Sequence, residues 1–448
     1  MSKSKLALLG GERLLNGTPP RNLYKWPIIG EEDEQAALDV IRTNAYSGSK
    51  ISEQFEKEVC EWLGVNHALV FCNGTMALHA AMFAAGLGVG DEIICPTKTY
   101  WASITSAYNF GATPVFCNVT DELVMDPDDI ERCIGPRTKA IMVVHYFGLP
   151  CDMDRIMPIA KKHNLKVIED VSHAQGGLYK GKRLGTFGDV SAMSMMSGKS
   201  FAAGELGILV TNEKKYHERA IAFAHYDRNN SEYITECEDL KGYTGLPLGG
   251  LKGRANQLCV ALARVQLKYY DERCAEIRRA MNYFCDLVED LPGIKPIRVD
   301  ESTGSNMAGW YAPHFAYVPE ELGGLSVERF VEACRAEGVG GHAGGNFCLH
   351  THRLFQDCDV FHTGKPTRIA FADRDVRELD KACDLSLTRY CFSVPWFKHF
   401  GEEDKKWIEK VAAVYRKVVE NYEDLLEGDT NTVIEGRWYG QENDKAAR

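Results

Sequence analysis

Four segments decide the fold: Val167-Ile168-Glu169-Asp170-Val171-Ser172-His173, Gly185-Thr186-Phe187-Gly188-Asp189, Ser194-Met195-Met196-Ser197-Gly198-Lys199 and Gly204-Glu205-Leu206-Gly207. The first is an apolar run ending on a carboxylate. It reads as a buried strand with Asp170 at its C-terminal end, where open α/β sheets collect their ligands. Residues 190–196 and 207–211 read as two further strands flanking Lys199.

Upstream, Ala68-Leu-Val-Phe-Cys72 leads into Asn73-Gly74-Thr75 and a helix that is apolar nearly all round. Short apolar runs at 92–95, 114–117, 140–144 and 166–170 then alternate with helical patterns at 101–110, 127–134 and 153–163. Runs of four to six apolar residues without alternation suit strands covered on both faces. The pattern predicts a large α/β/α domain with a mostly parallel sheet. A long helix is expected from about Gln257 to Arg279, with Pro292-Gly293 as punctuation. Beyond it the texture becomes a smaller C-terminal α+β unit, with strands near Tyr311 and Arg389 and a final helix at 403–424. The expected division is an N-terminal arm at 1–30 on the small domain, a large domain at 31–270, a small domain at 271–425 and a loose tail at 426–448.

Length and composition bound the function. A chain of 448 residues can bury a large core. A net charge of −11 argues against nucleic acid or an anionic membrane as partner. No run of apolar residues is long enough to span a bilayer, and the apolar stretch near the N-terminus is too short for a signal peptide. The fifteen cysteines are scattered without a CxxC pair, which argues against zinc and points to reduced thiols in the cytoplasm. No metal is expected.

The chemistry gathers on a few side chains. Taken alone, Lys199 would be a solvated turn lysine and Asp170 a helix cap. Together, the lysine lies among glycines between apolar strands and the aspartate ends a strand upstream, an arrangement suited to pyridoxal 5′-phosphate. Asp170 could keep a pyridine nitrogen protonated, and a desolvated Lys199 could form a Schiff base. Gly74 and Thr75, opening a helix, offer backbone N–H groups and a hydroxyl to a phosphate, although Asn73 and Thr75 would equally serve as a simple cap. Ser194 could add a phosphate donor. Tyr100 offers a ring to a planar cofactor, and His173 could orient its hydroxyl or satisfy a neighbouring carbonyl. Tyr146 ends another strand. Tyr146, Arg228 and His350 are the residues expected to contact an acceptor substrate.

The order of these motifs, with Pro96-Thr-Lys-Thr-Tyr-Trp-Ala-Ser103, Gly111-Ala-Thr-Pro-Val-Phe116, Pro136-Arg-Thr-Lys-Ala-Ile141 and His145-Tyr-Phe-Gly-Leu-Pro150, resembles the DegT/StrS-type sugar aminotransferases. These are fold-type I, pyridoxal-phosphate-dependent enzymes acting on keto sugars and keto cyclitols. The likeness spans roughly residues 20–420. It implies that Lys199 is the Schiff-base lysine, that Asp170 partners the pyridine nitrogen, and that Gly74, Thr75 and Ser194 bind phosphate. Tyr100 would stack on the ring, with His173 near its hydroxyl. It also implies a homodimer with shared active sites, in which a partner-chain asparagine reaches the phosphate. Here Lys252 of Gly250-Leu-Lys-Gly-Arg254 stands in the asparagine's place. The expected reaction moves an amino group from L-glutamate or L-glutamine to a keto sugar or cyclitol, in amino-sugar or antibiotic biosynthesis. The alternatives are a sugar dehydratase, against which Lys199 argues because such relatives carry histidine there, and a non-catalytic cofactor-binding regulator.

Overall fold

The computed structural model describes residues 4–430 except residue 247; most of the expected tail, 431–448, and the first three residues of the expected arm lie outside the described residues. The strands, in chain order, are β1 (His67–Phe71), β2 (Glu92–Pro96), β3 (Thr113–Cys117), β4 (Thr138–Val144) and β5 (Lys166–Asp170). After the hairpin β6 (Leu178–Tyr179) and β7 (Lys182–Arg183) come β8 (Val190–Ser194) and β9 (Gly207–Thr211). The principal sheet has seven strands in the order β1-β9-β8-β5-β4-β2-β3. Only β9 runs antiparallel to its neighbours, so the sheet is mostly parallel. Every residue of β2, β3 and β9 is buried, as expected of strands covered on both faces. The second sheet is antiparallel and has three strands: β10 (Ile294–Pro296), β11 (His314–Tyr317) and β12 (Cys391–Ser393).

Helices form where the apolar spacing and the caps agree. Asn73 accepts the amide of Met76 at 2.8 Å and starts the helix Gly74–Ala84, which lies buried between β8, β9 and the helix Lys214–Ala224. The helix Gln257–Asp286 runs beyond Arg279 and passes residue 270 unbroken. Its first half packs with Phe55, Val59 and Phe201, and its second half with Phe315 and Tyr415, so one rod joins two apolar clusters.

Two expected helices are shorter or of another kind. Residues 101–110 form two 3₁₀ turns, Trp101–Ser103 and Thr105–Phe110, broken at Ile104. Ser103 and Thr99 bond through their side chains there, which competes with regular helix formation. Only Ile130–Cys133 is helical within 127–134, because the Asp126 carboxylate takes the Asp128 amide in a local turn. The final helix spans Glu402–Glu420, followed by the turn Glu423–Leu426.

Two long-range attachments position the site. Near the N-terminus, the amides of Ala7 and Leu14 donate to the Glu337 carboxylate at 2.8 and 2.9 Å, against the end of the helix Val327–Glu337. Residues 346–390 leave the small sheet and cover β3, the outer strand of the large one. Arg368, fully buried, pairs with Asp380 at 2.6 Å and donates to the Pro114 carbonyl at 2.8 Å. Asn118 donates to the Ala382 carbonyl at 2.7 Å. The strap thereby protects an edge that would otherwise present unpaired backbone.

Candidate active site

The C-terminal ends of β4 and β5 lie side by side, with Val144 opposite Asp170 in register. Behind Asp170, Glu169 points into the protein and accepts the amides of Gly185, Phe187 and Gly188 at 2.9, 2.8 and 2.7 Å, with His145 at 3.1 Å. Burial alone would raise its pKa, but the His145 bond and these amides hold it below the usual carboxylate range. This network fixes the strand end. Alternation along β5 then turns Asp170 toward the opposite face, where it is 5 % exposed.

A cavity of about 520 Å³ opens at this face. Gly74, Thr75, Tyr100, Tyr146, Asp170, His173, Ser194 and Lys199 all line it, so eight of the residues singled out in the sequence meet in one place. At one end the Ser103 hydroxyl donates to Asp170 Oδ2 at 2.7 Å and the Ser172 amide to Oδ1 at 3.0 Å. Elsewhere on its wall lies the start of the helix Gly74–Ala84, whose first amides and positive dipole end suit an anion. A Cβ on Gly74 would sit 2.5 Å from Ser194 Cβ, and one on Gly207 would sit 2.3 Å from the Asn73 carbonyl. Only glycine lets these three backbones approach so closely.

Lys199 is 8 % exposed, and its Nζ lies 4.1 Å from the centroid of the Tyr311 ring. Its carbonyl accepts the Trp26 indole N–H at 2.9 Å. Burial lowers its pKa to about 8 against the opposing pull of Asp170. His173 accepts the Phe147 amide on Nδ1 at 3.2 Å and stands beside the Tyr146 and Tyr311 rings. Burial, Lys199 and His314 push its pKa well below the ordinary range, so the ring is neutral with its proton on Nε2. Tyr146 donates to Asn346 Oδ1 at 2.6 Å and accepts the Asn346 amide at 3.1 Å, which ties the strap to the β4 end.

The structure does not bring Arg228, His350 or Lys252 of this chain into the cavity. Arg228 is 3 % exposed and donates to both oxygens of Glu56 at 3.0 and 2.8 Å. His350 bonds Thr97 Oγ1 at 2.6 Å and lies 3.4 Å from Asp384, where it fastens the strap. Lys252 lies 5.9 Å from the Tyr226 ring centroid. Sequence reasoning missed Ser103, Tyr311, Asn346, Phe147 and His314, which also line the cavity. Ser103 and Phe147 lie inside quoted motifs and so carried a local signal, whereas Tyr311, His314 and Asn346 arrive from segments remote in sequence. Apart from the cavity, Cys117, Asp129 and Cys133 lie close enough to hold a metal, but both Asp129 oxygens already bind Arg132, at 2.6 and 2.7 Å. Among the described residues no helix is long and apolar enough to cross a membrane.

The geometry can be set beside known proteins. The chain is 38 % identical over 270 residues to a GDP-perosamine synthase of Escherichia coli O157:H7, covering 60 % of this chain and 71 % of that protein. It is 30 % identical over 391 residues to a Micromonospora echinospora protein named as an L-glutamine:3-amino-2,3-dideoxy-scyllo-inosose aminotransferase, covering 82 % and 90 %. Among solved structures, an aminotransferase from Psychrobacter cryohalolentis superposes with a TM-score of 0.74 at 27 % identity, over 89 % of this chain and all (100 %) of that one. A 3-amino-5-hydroxybenzoic acid synthase gives 0.73 at 23 %, over 90 % and 100 %, a likeness of fold. Residues 27–370 match the model of one family. The chain is therefore an aminotransferase of the fold-type I architecture and belongs to the DegT/DnrJ/EryC1/StrS aminotransferase family.

Proposed function

We propose that this chain is a pyridoxal-5′-phosphate-dependent aminotransferase. On this reading it transfers an amino group from L-glutamate or L-glutamine to a keto sugar, often nucleotide-linked, or to a keto cyclitol. The observation that carries the reading is the convergence of Lys199, Asp170 and the Gly74–Thr75 helix start on one cavity. These residues fit the cofactor: a desolvated amine, a carboxylate held by Ser103 and Ser172, and a phosphate cradle that an added Cβ would fill. The two named relatives, one a GDP-sugar enzyme and one an inosose aminotransferase, support both acceptor classes.

Pyridoxal phosphate, when bound, supplies an electron sink for the carbon that loses its proton. The chain supplies the rest. Asp170 would hold the pyridine nitrogen, and the backbone at Gly74 with Thr75 and Ser194 would hold the phosphate. Tyr100 would cover the ring face and His173 would stand near the ring hydroxyl. Lys199 Nζ would anchor the cofactor and then hold and move the proton of the 1,3-shift, for which a pKa of about 8 suits it near neutral pH. Tyr146, at the mouth of β4, is the acceptor-side contact this reading retains. We read the working unit as a cytoplasmic homodimer with shared sites, Lys252 reaching the phosphate bound by the partner subunit.

The test is a half-reaction. Purified enzyme loaded with pyridoxal phosphate is mixed with L-glutamate or L-glutamine, and conversion to pyridoxamine phosphate is followed by absorbance. The aminated form is then offered keto sugars and inososes. Turnover with one donor and one acceptor class is expected, and no conversion with either donor would remove the proposal.

A further inference from the structure

A second cavity, of about 420 Å³, lies between the N-terminal segment, the loop at 338–340, residues 395–398 and the helix Glu402–Glu420. Tyr24, Trp396 and Trp407 supply aromatic wall, and Arg13 and Lys398 are its charged members. Among the described residues no carboxylate lines it. The adjoining groove, which shares Gly17 and Trp407, carries Glu403 and Glu409 with Lys406 and Lys410, so its charges balance. Those of the cavity do not.

The walls are fixed in orientation. The Trp407 indole N–H donates to Tyr24 Oη at 3.2 Å, and the Trp396 N–H donates to the Gly309 carbonyl at 3.0 Å. Lys398 is fixed as well: its amide donates to the Leu23 carbonyl at 2.8 Å. Its Nζ donates to the Tyr24 carbonyl at 3.1 Å and stands 4.3 Å from the Trp396 ring centroid. An ammonium carries three N–H donors, so one backbone bond leaves it short of partners. A lysine that merely covered apolar surface would extend its head into water and keep its ordinary affinity for protons. Burial instead lowers that of Lys398, to a pKa of about 8. A partly desolvated cation without a counter-ion among the described residues, set against the Trp396 indole, is complementary to an anion attached to a flat ring.

We propose that this cavity is a ligand site, separate from the Lys199 cavity, for a planar aromatic molecule bearing one anionic group, a carboxylate or a phosphate monoester. The ring packs against Trp396, Trp407 and Tyr24, and the anion accepts from Lys398 with Arg13 at the mouth. The site lies one aromatic layer from the cofactor cavity. Trp396 stands 5.9 Å from Trp26 and 6.1 Å from Tyr311, centroid to centroid, and these two residues contact Lys199. The inference does not depend on the reaction proposed above.

The holoenzyme is titrated with 1-naphthoate, 1-naphthyl phosphate and the neutral 1-naphthamide, followed by tryptophan fluorescence and calorimetry. At least one anion binds saturably, one per chain, and about tenfold or more tighter than the amide, the size of one charge-assisted hydrogen bond. Which anion binds tighter distinguishes carboxylate from phosphate. Lys398→Met removes that preference and leaves amide binding unchanged. Gly340→Phe sets a bulky ring on the lining of the cavity and weakens all three probes with kcat unchanged, since Gly340 lines the cavity and an added Cβ there meets nothing within 4 Å. Should Lys398→Met fail to fold, Gly340→Phe alone decides. The proposal is overturned if neither anion binds at millimolar concentration, if amide and anions bind equally, or if Gly340→Phe leaves binding intact.

Discussion

Ser103 donates its hydroxyl hydrogen to Asp170 Oδ2 over 2.7 Å, although 67 residues separate the two in the chain. The bond crosses from the 3₁₀ turn after β2 to the end of β5 and leaves Asp170 a single orientation in the cavity. A hydrogen bond to a charged group is worth roughly 1.5–3 kcal/mol. On the proposed reading Ser103→Ala weakens pyridoxal phosphate binding about tenfold or more. Ser103→Thr keeps the donor and restores most of it. Asp170→Asn loses far more in kcat than either, because it removes the charge itself. Equilibrium dialysis of cofactor measures the first effect; equal affinity in wild type and Ser103→Ala would show that Asp170 does not need this support.

Lys199 gives a pH test with a definite sign. Its pKa in the folded chain is about 8, against 10.5 for an ordinary lysine, because burial penalises the charged form. Between those values the unfolded chain binds more protons, so apoprotein stability rises with pH across that window. Below it the buried ammonium costs up to about 3 kcal/mol. Apo Lys199→Met is therefore more stable than wild type at pH 7, and the gap closes toward pH 10. Urea midpoints at both values measure it, and a gap that widens with pH contradicts the burial argument. On the proposed reading, Lys199→Ala loaded with pyridoxal phosphate loses the visible absorbance band of the lysine-linked cofactor and keeps its fold.

Gly74 tests the cradle independently of charge. A methyl there lies 2.5 Å from Ser194 Cβ and 2.8 Å from its Cα, so strand β8 or the helix start has to shift. Overpacking of this kind costs about 1–3 kcal/mol. Gly74→Ala is expected to lower the thermal midpoint and to lose most cofactor affinity. Ser194→Ala, which removes only a hydroxyl, changes the midpoint little and the affinity modestly. Equal affinity loss in the two variants would mean that the hydroxyl, rather than the close backbone approach, makes the site.

Much of this arrangement was legible in the sequence, for physical reasons that also mark where legibility stopped. Asp170, Ser194 and Gly74 lie at the ends of elements whose apolar runs identify them, and their neighbours in the cavity follow from strand direction. Tyr311 and Asn346 carry no such signal, since they reach Lys199 and Tyr146 only through the packing of the small domain and the strap. The helix expected at 101–110 gave way to 3₁₀ turns because side-chain bonds of Thr99 and Ser103 outweighed the apolar periodicity. His350 looked like a loop residue free to meet substrate, but Thr97 Oγ1, 253 residues away in sequence, holds it.

Arg228 is the clearest such case, and it yields the last prediction. Its partner Glu56 lies 172 residues away, and both are buried. Burial pushes the Glu56 pKa up to about 7, against the pull of Arg228 and of the Val70 amide at 2.9 Å. Removing one partner of a buried pair costs about 3–5 kcal/mol where the other stays charged, and less where it can take up a proton. Arg228→Met raises the folded pKa of Glu56 further, whereas its unfolded value is unchanged. Below pH 7 both proteins hold Glu56 largely protonated, so the deficit there reflects lost contacts alone. Above pH 7 wild type ionises Glu56 beside its guanidinium, and the variant does not. The stability deficit of Arg228→Met therefore grows between pH 7 and 9, and Arg228→Met/Glu56→Leu recovers most of it. Denaturation at three pH values measures this. A pH-independent deficit, or a raised KM for the keto substrate in a fully folded Arg228→Met, would return this arginine to the substrate-contacting role first expected of it.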